Sequence, residues 1–212
     1  YWTAGNGVGV TSVLHQGNTT PVTPTTISST LTNLRTVNIF NNQLYVSTGS
    51  GSQGIYKVGT GVPTTTGQTS VISLPQNGMY AYQMVNRGGS NWNCYAGTDS
   101  APGIYKWSSI DNGATWTARG SVSNVLPIYG ITAANNGTSV DLYATTVSSI
   151  LKLTDATAFN ATIAGTISTI ATAPTNTFFR GIAFAPISAT APLIATAGSP
   201  ANVDTTYGTA SA

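Results

Sequence analysis

Four residues, Gly54-Ile55-Tyr56-Lys57, recur unchanged at Gly103-Ile104-Tyr105-Lys106, 49 positions later, and Ser149-Ile150-Leu151-Lys152 is a looser copy 46 positions further on. A second set repeats at the same interval: Trp2 to Gly5, Tyr45 to Gly49, Tyr95 to Thr98, Tyr143 to Thr146 and Ile194 to Gly198, with first residues 43, 50, 48 and 51 positions apart. Repetition at this interval restricts the fold, because each period must be one supersecondary unit that buries its apolar face against the next. Two further sets complete the period. Val37 to Phe40, Tyr82 to Val85, Gly130 to Ala133 and Gly181 to Phe184 precede members of the second set; Ser70 to Leu74, Thr115 to Ala118 and Ile163 to Ala171 follow those of the first.

Each period therefore holds four short segments rich in β-branched and aromatic residues, separated by Gly, Asn, Pro and Ser. Leu44-Tyr45-Val46-Ser47 alternates as a strand does, and no window carries a helical stripe. Four strands per period of about 40–50 residues is the pattern of propeller blades rather than of helical or leucine-rich solenoids. The expected fold is all-β: a single β-propeller or propeller fragment over residues 1–212. Its repeats lie near 1–34, 35–78, 79–125, 126–177 and 178–212.

Ser109-Ile110-Asp111-Asn112-Gly113-Ala114-Thr115-Trp116 fits the pattern Ser-x-Asp-x-Gly-x-Thr-Trp and resembles the Asp box, or BNR-like motif, of sialidase-type and related β-propellers. The resemblance implies a turn between third and fourth strands. In it Asp111 accepts backbone hydrogen bonds, Gly113 supplies positive φ and Trp116 packs between blades, with Ser109 and Thr115 completing a scaffold rather than a catalytic site. Asp111 and Gly113 read as turn residues on their own chemistry too. Arg35 to Ser47 and Phe179 to Pro186 resemble propeller repeats of large secreted or surface-anchored bacterial proteins. Propellers of those relatives extend further toward the N-terminus. Because the chain opens on strand-like Tyr1-Trp2 with no signal peptide, it is expected to be an excerpt of something longer. Whether the repeats close a ring or leave edges for another chain stays open, and an uncovered edge strand is a template for pairing.

The chemistry of the chain removes several functions. Charged residues make up 6%: four arginines, three lysines and five aspartates, with no glutamate. Ordinary domains carry about 25%, so hydroxyls and amides must wet this surface, as in secreted or cell-surface β proteins. A net charge of +2 without any Lys/Arg cluster argues against a nucleic-acid partner. The absence of an apolar run of about 18 residues argues against a membrane span. Cys94 stands where Leu44 and Leu142 stand in their repeats and reads as a small core residue. The five aspartates form no Asp-x-Asp cluster or calcium loop, so neither metal nor cofactor is expected. The glycine-rich stretches Gly5 to Gly9 and Gly49 to Gly51 lack the lysine and helix of a phosphate loop.

Catalysis has little to draw on. His15 is the only histidine and has no nucleophile motif nearby. A sialidase-type hydrolase is similar in needing an arginine triad, a tyrosine nucleophile, a glutamate and an acid; this chain has no glutamate. Of the four arginines, only Arg35 and Arg180 occupy comparable places, just ahead of first-strand segments, with a role at a channel mouth as the functional alternative. Asp99, Asp141 and Asp155 sit at strand ends rather than as a glycosidase pair. Trp92, Trp107 and Tyr105 fall in one repeat with Trp116 and form the candidate sugar platform, against interblade packing as the structural alternative. Three sequons begin at Asn18, Asn136 and Asn160. The expected protein is not an enzyme. It is an extracellular structural or interaction module that binds other chains or copies of itself, with a lectin-like glycan binder as the alternative and a sialidase-type hydrolase last.

Overall fold

The computed structural model describes residues 2–5, 12–15 and 23–185, which hold fifteen strands and no helix. The first sheet contains β1 (Trp2–Ala4), β2 (Val13–His15) and β3 (Thr25–Ser28). The second contains β4 (Leu34–Phe40), β5 (Gln43–Thr48), β6 (Gly54–Val58) and β7 (Ser70–Pro75). The third contains β8 (Met79–Asn86), β9 (Trp92–Thr98), β10 (Gly103–Ser109) and β11 (Thr117–Ser123). The fourth contains β12 (Gly130–Asn135), β13 (Val140–Thr145), β14 (Ser149–Asp155) and β15 (Ser168–Thr172). Every sheet is an antiparallel meander in chain order.

Turn chemistry sets the registers. Phe40 pairs with Gln43 across a two-residue loop in which Asn41 and Asn42 have φ of 44° and 56°, the left-handed pair that matches the twist of a hairpin. The repeated Gly-Ile-Tyr-Lys segments lie in β6 and β10, and the Tyr45, Tyr95 and Tyr143 segments in β5, β9 and β13.

Three apolar clusters form the core, one between each pair of consecutive sheets. Val13 and Ile27 meet Leu34, Leu44, Val46, Tyr56 and Val58 between the first and second sheets. Tyr45, Ile55 and Leu74 meet Met79, Tyr82, Met84, Cys94, Ala96 and Trp107 between the second and third. Tyr95 and Ile104 meet Ile131, Val140, Leu142, Ala144 and Leu153 between the third and fourth. The pleat explains the assignment, since neighbouring side chains on a strand face opposite ways. Leu44 and Val46 point back to the first sheet while Tyr45 points forward to the third; Cys94 and Ala96 point back and Tyr95 forward. Cys94 is fully buried like Leu44 and Leu142, its counterparts in the adjoining repeats.

The chain divides into two compact units after Ile182, and all fifteen strands belong to the first. Of the second unit only residues 183–185 are described. Gly181 to Phe184, an expected strand, is not among the strands of the described residues. Phe179, just ahead of it, donates its backbone amide to the Val147 carbonyl. The last repeated segment, Ile194 to Gly198, lies outside the described residues.

At Gly97 on β9, the segment ahead of β12 comes too close for a side chain. A Cβ on Gly97 would stand 2.2 Å from Ile128 Cγ2, which belongs to the cluster between the third and fourth sheets, whereas one on Gly181 would meet nothing within 4 Å among the described residues. Gly97→Ala is expected to lower stability by about 1–3 kcal/mol in urea titration through overpacking. Gly181→Ala is expected to stay within about 0.5 kcal/mol of the parent.

Candidate functional site

The residues at the start of the first-strand segments of successive repeats form a continuous row: Arg35, Tyr80, Tyr129 and Arg180. Each stands two positions ahead of an apolar residue of its repeated segment, Val37, Tyr82, Ile131 and Ile182 respectively. Register breaks aim the first two. The β4–β5 pairing slips between Leu34 and Val37, and the β8–β9 pairing between Met79 and Ala81, so Arg35 and Tyr80 leave the regular alternation. Bulges redirect side chains in this way. The Arg35 Cζ lies 4.6 Å from the Tyr80 ring centroid, Tyr80 and Tyr129 meet edge to face at 4.9 Å and 87°, and the Arg180 Cζ lies 5.0 Å from the Tyr129 ring.

Hydroxyls on first and second strands anchor the backbone of this row. Thr36 Oγ1 and Ser47 Oγ donate to the Tyr80 carbonyl at 3.1 and 3.0 Å, and Thr145 Oγ1, in the place equivalent to Ser47, donates to the Arg180 carbonyl at 3.1 Å. The two ion pairs among the described residues are Lys106–Asp155 and Lys152–Asp141, so neither row guanidinium faces a carboxylate there. Arg35 Nε is buried without an acceptor. The other arginines are held: Arg87 donates to Asn135 Oδ1 and to the Thr138 and Ser139 carbonyls, and Arg119 Nε to Ser108 Oγ.

The segment Ser109 to Trp116 folds into a self-contained turn between β10 and β11. Asp111 accepts bonds from Ser109 Oγ at 2.7 Å, from the Thr115 amide at 2.9 Å and from Thr115 Oγ1 at 2.6 Å. The Ser109 hydroxyl and Thr115 together hold its carboxyl well below the usual carboxylate range. Gly113, at φ 78°, donates its amide to Ser109 Oγ, and Asn112, at φ 56°, accepts from the Trp92 indole. Trp116 reaches across to Ser73 Oγ on β7. With its oxygens engaged inside the turn, Asp111 acts as a scaffold group.

The aromatic residues considered for a sugar platform are gathered into the core instead. Trp92 and Trp107 retain 8% and 6% exposure. Tyr105 is half-buried, stacks on Trp107 at 6.0 Å and donates its hydroxyl to the Ala101 carbonyl. Stacking on a sugar needs an open ring face, which the two indoles lack. Burial pushes the Cys94 thiol far up, away from the reactive thiolate. His15 packs its ring on Trp2.

A buried charge pair joins the third sheet to the fourth. Lys106 Nζ lies 2.8 Å from Asp155 Oδ2, with both side chains essentially inaccessible. Lys106 also donates to Thr157 Oγ1 and the Ala158 carbonyl, and Asp155 accepts from the Tyr95 hydroxyl at 2.8 Å and from Thr157. Burial opposes ionisation of Asp155, but the bonds from Lys106, Thr157 and Tyr95 outweigh it and hold the carboxyl below its ordinary value. Burial, reinforced by Asp155, drives the Tyr95 phenol far up.

No three His, Cys, Asp or Glu side chains converge among the described residues, and no helix there is long and apolar enough to cross a membrane. Compared with protein-family models, with curated proteins and with solved structures, the chain matches none.

Sequence reasoning placed Arg35 and Arg180 at comparable positions but passed over Tyr80 and Tyr129 between them. The signal was present in the constant two-residue offset from the first-strand segments. It was obscured because the row alternates no residue type. Lys106–Asp155 was also missed, for its partners belong to different repeats.

Asp155→Asn leaves Lys106 charged and buried, so it is expected to cost about 3–5 kcal/mol in urea unfolding at neutral pH. Because the folded-state pKa of Asp155 is depressed, its contribution is complete above the unfolded value of about 3.9 and is lost as pH falls through the folded one. The gap between parent and variant is therefore expected to narrow as acid is added below that value.

Proposed function

We propose that this chain is a non-catalytic interaction module of the β-propeller type, working outside the cell or on its surface and joining other chains or copies of itself through the outer strands of its sheets. The observation that carries this reading is the state of those strands. β7, β11 and β15 each end a sheet, and all five residues of β15 are exposed. Val71 on β7 and Ile170 on β15 stand 62% and 52% exposed, apolar side chains on strands with one free hydrogen-bonding edge. Such edges pair with another chain unless blocked by charge, proline or a bulge; β15 carries no charge or proline, and its one irregularity is the register shift against β14 at Ile170.

The propeller assignment draws on the succession of four-stranded meanders, on the packing of β4 against β8 and of β8 against β12, and on the Asp-box-like turn at the junction of a third and fourth strand. The charge-poor surface supports the extracellular setting and weakens repulsion between copies. Against a sialidase-type hydrolase stand the missing glutamate and the engagement of Asp111 and Asp155 in structural bonds. Carbohydrate binding is the second reading, favoured by the two row arginines that lack carboxylate partners rather than by the buried indoles.

Sedimentation velocity over a wide concentration range is expected to show self-association that weakens in Ile170→Lys and Val71→Lys. A parent protein that stays monomeric throughout, and pairs with no other surface protein of its source, would remove the reading.

A further inference from the structure

We propose that the Arg35–Tyr80–Tyr129–Arg180 row is a binding site for an acidic glycan, with one carboxylate of a linear uronate-type chain on each guanidinium and the neutral sugar positions between them over the tyrosines. This goes beyond the edge-mediated assembly above and does not depend on it.

The row has the parts such a ligand needs and few uses for them within the protein. Arg35 and Arg180 stand at the two ends of three successive ring contacts, with two phenol rings between their charges. Neither has a carboxylate or hydrogen-bond acceptor among the described residues, although the chain's other two arginines are both bonded. Arg180 is exposed, while Arg35 is half-buried with a donor left without an acceptor. A guanidinium stacked on a ring is already oriented, so less side-chain entropy is lost when its free N–H groups engage a carboxylate. The two half-buried phenols between the charges make no side-chain hydrogen bond among the described residues. Their hydroxyls both donate and accept, which suits sugar hydroxyls.

Spacing of charge selects the ligand class. An acidic peptide presents carboxylates on a flexible chain with amide groups between them; a uronate polymer presents them at intervals on a stiff backbone separated by hydroxyl-bearing rings. A row with cations at its ends and neutral hydroxyls between matches the second. Burial of Trp92 and Trp107 removes a ring-stacking platform, so recognition rests on charge and hydrogen bonding.

The test is calorimetric titration of the full chain with galacturonate oligomers from monomer to hexamer at low ionic strength, below the concentration at which the protein associates. Affinity is expected to rise with length until both arginines are spanned, and to fall with added salt. Neutral galactose oligomers are expected not to bind. Arg180→Gln, at an exposed position, is expected to weaken the hexamer about tenfold or more, and Arg35→Gln likewise where its circular dichroism remains that of the parent. Arg87→Gln is expected to leave affinity unchanged. Tyr129→Phe, which keeps the ring contacts, is expected to lose several-fold through its hydroxyl. No binding of any uronate oligomer, or undiminished binding by folded Arg180→Gln, would overturn the site. Binding of oligo-aspartate as tight as that of the hexamer would overturn the choice of a glycan.

Discussion

The structure depends on burying both faces of its inner strands. A sheet with one apolar face needs one neighbour, but alternate residues of β5 and β9 place Leu44 and Val46, or Cys94 and Ala96, on one side and Tyr45 or Tyr95 on the other. The second and third sheets are therefore each held between two others, and fully burying a side chain of this size contributes about 1.5–3 kcal/mol. The tyrosines show the gradient of this requirement. Tyr45 and Tyr95, covered by the following sheet, are 4% and 1% exposed, whereas Tyr143 in the fourth sheet is half-buried beneath Lys152.

Two-sided burial also governs the charges. A lysine at the end of Gly-Ile-Tyr-Lys lies among packed strands, and a charge removed from water needs a partner with its remaining donors satisfied. Lys106 has Asp155, Thr157 and the Ala158 carbonyl. Lys57, in the same tetrapeptide one repeat earlier, remains half-buried. Asp155 in turn accepts from Tyr95, so one aspartate serves both the lysine and the phenol that the third sheet turns toward the fourth.

The distribution of polar groups bears directly on function. In the Asp111 turn and the Lys106–Asp155 pair, carboxylate oxygens are taken up by nearby donors, which makes them structural. At the Arg–Tyr row the opposite holds, because its cations are placed by ring contacts that leave guanidinium donors over. Outer strands present a third situation, in which it is the backbone that offers donors and acceptors. Assembly and ligand capture thus call on different parts of the sheets and are compatible in one molecule.

The strand pattern, the period near 48 residues and the scaffold character of Asp111 were legible in the residues alone. They depend on local properties: the two-residue alternation of a strand, the left-handed tolerance of Asn and Gly, and the reach of a short carboxylate to amides a few residues away. Cys94 was legible as core for the same reason, standing at a position filled by leucine elsewhere. Gly181 to Phe184 shows the limit, since strand composition alone did not make it one of the strands of the described residues. Only the tertiary structure decided which of two identical Gly-Ile-Tyr-Lys segments buries its lysine, which arginines are bonded and which face rings, and that Trp92 and Trp107 are closed to solvent. Those outcomes are set by groups from about ten residues to a full repeat away in sequence. Burial and electrostatic energies depend on distance in space, which the order of residues does not contain.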